Sequence, residues 1–168
     1  MQDEWTGWVA GRLPDGWFPQ PPDVMVDREE LLIVGTLPDV ELEPGAAPAA
    51  LAAARSARTS RFREDTRAAR IRIAAEAEHR FGRKVSWGVR IGDETVLFTT
   101  VSVPVMTRLR QNERRVLDTL VEAGVARSRS DALAWCVKLV GANQAEWITS
   151  LQEALVHVEK VRAEGPTA

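Results

Sequence analysis

The segment from Val101 to Leu109 constrains this chain more than any other. Side chains of an extended strand alternate between two faces, so Val101, Val103, Val105, Thr107 and Leu109 share one side. Ser102, Pro104, Met106 and Arg108 share the other. An amphipathic helix is expected next, over about residues 111–123, with Val116, Leu117, Leu120 and Val121 facing inward and Gly124 as its stop. Ser128-Arg129-Ser130-Asp131 has the S-x-x-D spacing of a capping box, which satisfies free amides where a helix begins. A second helix should therefore run through Leu133, Cys136, Val137 and Val140 to Gly141. One strand and two short helices cannot close a core by themselves, so the valine side of the strand requires a cover.

The preceding segment reads as a hairpin. Val85 to Ile91 alternates, Gly92-Asp93 is a two-residue turn, and Glu94 to Thr100 alternates again. A two-residue loop sets the register, placing Trp87 opposite Phe98 and Val89 opposite Val96 on one face. A helix from Phe62 to Phe81, stopped by Gly82, carries Phe62, Ala69, Ile73 and Ala77 on one side and is expected to cover that face. Arg63, Arg67 and Arg70 form an adjoining stripe, which reads either as a solvated helix face or as an accessory contact to DNA phosphates.

Upstream, Trp5, Trp8 and Trp17 stand among Gly7, Gly11, Pro14 and Gly16, with Pro19, Pro21 and Pro22 following, so no long helix is expected. Aromatic clusters of this type pack onto the elements behind them or, less commonly, form a ligand or partner surface. Glu30 to Leu37 reads as one strand stopped by Pro38. Residues 43–60, rich in Ala, Pro and Ser, read as a flexible linker in which Leu51 to Arg58 is at best a marginal helix.

Charge is distributed unevenly. Residues 1–45 hold ten acids against two arginines, residues 46–90 eleven basic against four acidic residues, and the rest is nearly balanced, for a net charge of −2. A basic middle beside an acidic arm suits a nucleic-acid surface. The 19 Arg against 3 Lys also fit a GC-rich genome, in which Arg is merely abundant. No apolar run approaches the roughly 18 residues that span a bilayer, and the acidic start is unlike a secretory signal, so a cytoplasmic protein is expected. A single cysteine excludes an intrachain disulfide and multi-cysteine metal motifs.

Strand, helix, Gly124, Ser128-Arg129-Ser130-Asp131-Ala132 and helix, in that order, resemble the ribbon-helix-helix family of Arc and MetJ type repressors. Its members show an extended V-R-L, apolar residues eight and eleven positions after that Leu, a Gly, and S-R-S-E-A. Here Thr107-Arg108-Leu109 leads to Leu117 and Leu120, then Gly124 and the Ser128 motif, and the likeness covers about residues 100–141. The resemblance implies an intertwined homodimer, open to higher assembly, whose core takes in Val103, Val105, Leu109, Leu117, Leu120, Leu133 and Cys136. It implies that Pro104, Met106 and Arg108 face base edges in a major groove, and that Arg127, Ser128, Arg129 and Ser130 hold a phosphate at the start of the second helix.

The motif departs from the family at Pro104 and Met106, where polar groups are usual and no strong hydrogen-bond donor stands here. Three explanations stay open: contacts from the basic middle, readout of DNA shape, or a ribbon that serves only dimerisation. No catalytic grouping emerges. His79 and His157 lack metal-ligand partners, Cys136 reads as inert packing, and neither a P-loop nor G-x-G-x-x-G occurs, so neither enzyme activity nor a cofactor or metal is expected.

The expected architecture is α+β. It comprises a Trp-rich acidic segment with one strand (1–42), the linker (43–60), a basic helix with a β-hairpin (61–100), the ribbon-helix-helix unit (101–141) and a C-terminal helix (142–164). In that helix Trp147, Leu151, Ala154, Val158 and Val161 recur in a heptad-like seam, widened by Ile148 and Leu155, and the tail from Glu164 is expected to be unstructured. The expected function is a homodimeric double-stranded DNA-binding transcriptional regulator, a repressor. The alternative is a dimeric scaffold that binds a protein partner through its Trp-rich segment and Met106.

Overall fold

The computed structural model describes residues 2–165. It is a mixed α and β structure with six helices and a four-stranded sheet among the described residues. The chain divides into two compact units, one ending at Pro104 and the other beginning at Val105.

The first unit contains α1 (Gln2–Arg12), β1 (Asp23–Val26), β2 (Glu30–Thr36), α2 (Pro48–Asp65), α3 (Arg67–Phe81), β3 (Lys84–Ile91) and β4 (Glu94–Leu97). The sheet order is β1-β2-β3-β4. β2 and β3 pair in parallel through the α2–α3 crossover, and the outer pairs are antiparallel. Parallel strands cannot be joined by a tight turn, and the two helices supply the long connection.

Register sets the core. Ile33 stands beside Trp87 and Gly35 beside Val89, so Leu31, Ile33, Trp87, Val89 and Ile91 line one face, where Trp5, Val9, Ile73, Ala77 and Phe98 complete the buried cluster. Leu31 and Ile33 are fully buried, each contributing about 2 kcal/mol of hydrophobic stabilisation. Gly35 lets the Phe18 ring lie against the strand, for a Cβ there would overlap the ring. The hairpin has the expected register, with Val89 opposite Val96 and the Phe98 amide donating to the Trp87 carbonyl at 2.7 Å.

Three expectations change. The N-terminal segment forms α1, eleven residues long despite Gly7 and Gly11, because Trp5 and Val9 sit one turn apart and both bury. The Trp5 ring lies 4.0 Å from that of Phe81, centroid to centroid, while Trp8 and Trp17 pack on the same cluster. The prolines act only after α1 has ended, and Asp23–Val26 adds an edge strand that the Glu30–Leu37 reading lacked.

The expected linker is largely helix. Gly45, with φ +89°, makes the turn, and Pro48 opens α2, where its missing N–H costs nothing. The alanines are strong helix formers rather than spacers. Arg55 binds Asp39 (Nε to Oδ1, 2.9 Å), and Arg58 Nη1 donates to the Pro38 and Asp39 carbonyls at 2.7 and 2.8 Å, anchoring α2.

The single helix expected from Phe62 to Phe81 is broken at Thr66, the shared cap of α2 and α3. The Thr66 hydroxyl donates to the Phe62 carbonyl at 2.6 Å, back-bonding that bends helices.

The second unit contains α4 (Gln111–Glu122), α5 (Arg129–Asn143) and α6 (Ala145–Glu164). Gly124, with φ +73°, turns the chain away from the α4 axis. α5 passes Gly141 and ends at Asn143, and Gln144 alone separates it from α6. The core is small: Leu117, Ala126 and Ala132, with Leu109, Leu120, Val121, Leu133 and Cys136 half-buried around it. The C-terminal seam is exposed in the chain at Trp147, Leu151, Leu155, Val158 and Val161, and only Ile148 is half-buried. Residues 166–168 of the expected unstructured tail lie outside the described residues.

Candidate nucleic-acid interface

The residues from Val101 to Arg110 carry no regular secondary structure within the chain. Pro104 and Arg108 are exposed, and Met106 is 97% exposed. Val103 and Val105, expected in a dimer core, do not reach the core of the single chain: Val105 is 83% exposed. Leu109 does, half-buried against Leu117 and its neighbours. Val116, expected inward, and Val137 and Val140 on α5 are exposed as well.

At the start of α5 Ser128 forms the expected N-cap, while the Asp131 carboxylate reaches back to the Arg127 amide rather than to that of Ser128. The Asp131 amide donates to Ser128 Oγ at 3.2 Å, and the Arg127 amide donates to Asp131 Oδ2 at 3.0 Å. The Asp131 carboxyl is held below its usual range, first by that Arg127 amide and then by the Arg127 charge. The helix end thus carries its own anion. Of the first-turn amides, those of Arg129 and Ser130 are the ones that helical geometry leaves free for a phosphate.

Arg129 requires the larger correction. Its guanidinium is engaged by Asp118 of α4 through two hydrogen bonds. This pairing lowers the Asp118 pKa and raises that of Arg129. Within the chain Arg129 ties the two helices together and is not a free phosphate ligand. Arg127 is the more available cation, reaching Asp131 only at 3.6 Å.

The structure brings several of these residues around one cavity of about 300 Å³, lined by Val105, Met106, Thr107, Leu109, Arg114, Leu117, Arg129, Ser130 and Leu133. It is floored by leucines and edged by two arginines. Arg114, whose Nη1 donates to the Leu109 carbonyl at 2.8 Å, is not among the residues to which the sequence points. Its spacing of five from Leu109 signals nothing until a helix starts at Gln111 and turns the side chain back. Arg108, Arg110, Arg114 and Arg115 give this end of the unit a concentration of positive charge.

Of the accessory arginines, Arg63 and Arg67 are exposed, but Arg70 is buried. Its Nε donates to Thr66 Oγ1 at 3.0 Å and its Nη2 to the Arg63 carbonyl at 2.7 Å. It cannot lie on a DNA backbone as a surface residue would. Among the described residues, no three His, Cys, Asp or Glu side chains converge to hold a metal ion. Among them, too, no helix is long and apolar enough to cross a membrane.

Comparison with known families divides the chain where the two units divide. Residues 3–97 match the family described as Rv1265-like protein, N-terminal domain, and residues 110–162 match the Mb1296 C-terminal domain. The chain belongs to the Rv1265-like family. Family members similar to it include the uncharacterized proteins Mb1296 of Mycobacterium bovis and Rv1265 and MT1303 of Mycobacterium tuberculosis. Each is 58% identical over 160 residues, covering 95% of this chain and 69% of the relative. No solved structure matches. The family junction, between residues 97 and 110, falls in the segment without regular secondary structure that carries Met106 and Arg108.

Proposed function

We infer that this chain is a homodimeric DNA-binding protein of ribbon-helix-helix type, acting as a transcriptional regulator. The observation that carries the reading is the exposure of Val103 and Val105 in a segment without ladder partners among the described residues, with Val105 lining a leucine-floored cavity. Strand pairing with a second copy would satisfy the segment's backbone groups and cover its valines, so folding of the second unit and dimerisation become one event. The ribbon so formed would present Met106 and Arg108 outward, and a two-stranded ribbon fits a major groove. Arg108 could then take a guanine edge, with Arg127 and the Arg129 and Ser130 amides on the phosphates.

The test is to purify the protein with bound genomic fragments and sequence them, alongside anisotropy titrations of a labelled duplex at two salt concentrations. The reading expects recurring sites and binding that weakens steeply with salt as counterions are released. A monomeric protein without DNA affinity overturns it.

A second reading is favoured by a specific feature. Arg129 is engaged by Asp118, Asp131 sits on the α5 terminus, and the outward Met106 is apolar, so the same dimer could instead dock a protein. Loss of DNA binding with retention of the dimer would select that scaffold.

A further inference from the structure

The first unit holds a cavity of about 520 Å³ between α2, α3 and the end of β4, lined by Ser60, Arg63, Glu64, Arg67, Arg70, Ile71, Phe98 and Thr99. Three features distinguish its wall. First, Arg63 near the end of α2 and Arg67 and Arg70 in the first turn of α3 all line it, so three arginines border one space. Second, none of the three forms an ion pair among the described residues; this holds also for exposed Arg28, Arg61 and Arg72, so it is the burial of Arg70 that sets the group apart. Third, Arg70 is only 6% exposed, lies 4.9 Å over the Phe98 ring, and spends two of its donors on Thr66 and the Arg63 carbonyl. Arg63 also stands over that ring, at 5.8 Å. An arginine has five N–H donors, and the Nη1 group of Arg70 has no partner among the described residues.

A buried cation without a counterion is costly. Burial, followed by the Arg63 and Arg67 charges, holds the Arg70 pKa below its usual value. Each of these effects is relieved by an anion in the cavity. A smaller cavity of about 220 Å³ shares Ser60, Arg63 and Phe98 with the first and is also lined by Thr59. The Thr59 hydroxyl is buried and unpartnered, and it belongs to the smaller cavity alone.

The geometry points to a binding site for a small phosphate-bearing oxyanion of more than one charge, held by Arg63, Arg67 and Arg70 with hydroxyls from Ser60 and Thr99. The burial of Arg70 favours a small ligand over a duplex. A phosphate on a convex DNA backbone meets exposed Arg63 and Arg67, whereas only a ligand that enters the cavity meets Arg70. Glu64, the one acid among the lining residues, leaves a net positive wall and disfavours neutral or cationic ligands. The site lies wholly in the first unit and does not depend on the ribbon reading of the second.

Isothermal titration of the full chain with inorganic pyrophosphate at low salt tests this, with inorganic phosphate as the weaker comparison. Saturable binding at one site per chain is expected. Removing exposed Arg67 as Arg67→Gln should weaken it about tenfold or more, the weight of a charge-assisted hydrogen bond, and adding Arg63→Gln should weaken it further. Arg70→Lys keeps charge but loses the fork, and circular dichroism of each variant checks that it folds. Absence of pyrophosphate binding, or equal affinity in wild type and the Arg63→Gln/Arg67→Gln variant, overturns the site. So does a double variant that loses affinity for a labelled duplex when wild type binds no pyrophosphate, an outcome that makes the arginines a DNA contact. Failure of the ribbon reading would look different: Arg108→Ala without effect on the duplex while pyrophosphate still binds.

Discussion

The Arg129 guanidinium clasps the Asp118 carboxylate in parallel, Nε to Oδ1 at 2.6 Å and Nη2 to Oδ2 at 2.8 Å, joining α4 to the first residue of α5. The clasp opposes any role of Arg129 on phosphate, since the carboxylate must release it first. Asp118→Asn should therefore strengthen binding to all duplexes alike. It should also steepen the salt dependence by about one unit of slope, because one further phosphate is then neutralised. Anisotropy titrations across a salt series read this directly, and an unchanged slope would show that Arg129 never reaches the backbone.

Val105 offers a test of self-association that leaves the protomer's own core untouched. At 83% exposure, Val105→Asp should change the stability of a monomer by no more than about 0.5 kcal/mol. In an intertwined dimer it places a charge in a shared core. Sedimentation equilibrium should show a dimer for the native chain and dissociation, with loss of helix signal from the second unit, for the variant. Two indistinguishable profiles would refute the shared core.

Ser128 caps α5 by accepting the Asp131 amide. Ser128→Ala should cost about 1 kcal/mol, within the usual range for lost N-caps. The loss belongs to the second unit, so the thermal midpoint followed there should fall while the sheet of the first unit melts unchanged.

Gly35 is required by the Phe18 ring rather than by its own backbone angles. Gly35→Val should destabilise the first unit by about 1–3 kcal/mol through overpacking. Chemical unfolding measures this, and Phe18→Ala in the same chain should recover part of the loss. Independent, additive costs would contradict the contact.

The Asp39 carboxyl is depressed to about 2 from 3.8, chiefly by the hydrogen bonds of Arg55 and then by the Val40 amide. A depressed carboxylate stabilises the fold fully above its unfolded value and loses that contribution as pH falls through the folded one. Asp39→Asn should accordingly lower the unfolding midpoint at pH 6, and the gap from the native chain should narrow between about pH 4 and pH 2. A constant gap across that window would separate the effect from the carboxylate's charge.

Residues alone reveal what short stretches decide. The hairpin has its expected register because a two-residue turn and strict alternation leave one pairing that buries Trp87 and Val89, although its second strand ends at Leu97 rather than Thr100. The Ser128 N-cap likewise forms within four consecutive residues, and Glu30–Thr36 is a strand because Leu31, Ile33 and Val34 can all be buried there. The linker reading of residues 43–60 fails because alanine serves equally in spacers and helices, and only the anchors from Arg55 and Arg58 to Pro38 and Asp39 select the helix.

Tertiary structure decided the rest. It selected α1 by burying Trp5 on Phe81, paired β2 with β3 in parallel across 47 residues between Thr36 and Lys84, and turned Arg70 inward while leaving Arg63 and Arg67 exposed. It also assigned Arg129 to Asp118, eleven positions away. Local pattern specifies an element when its neighbours in sequence supply its partners. Where the partner arrives from a distant part of the chain, many pairings satisfy the same pattern, and the packed structure, which must bury apolar surface and satisfy each buried polar group at once, leaves only one.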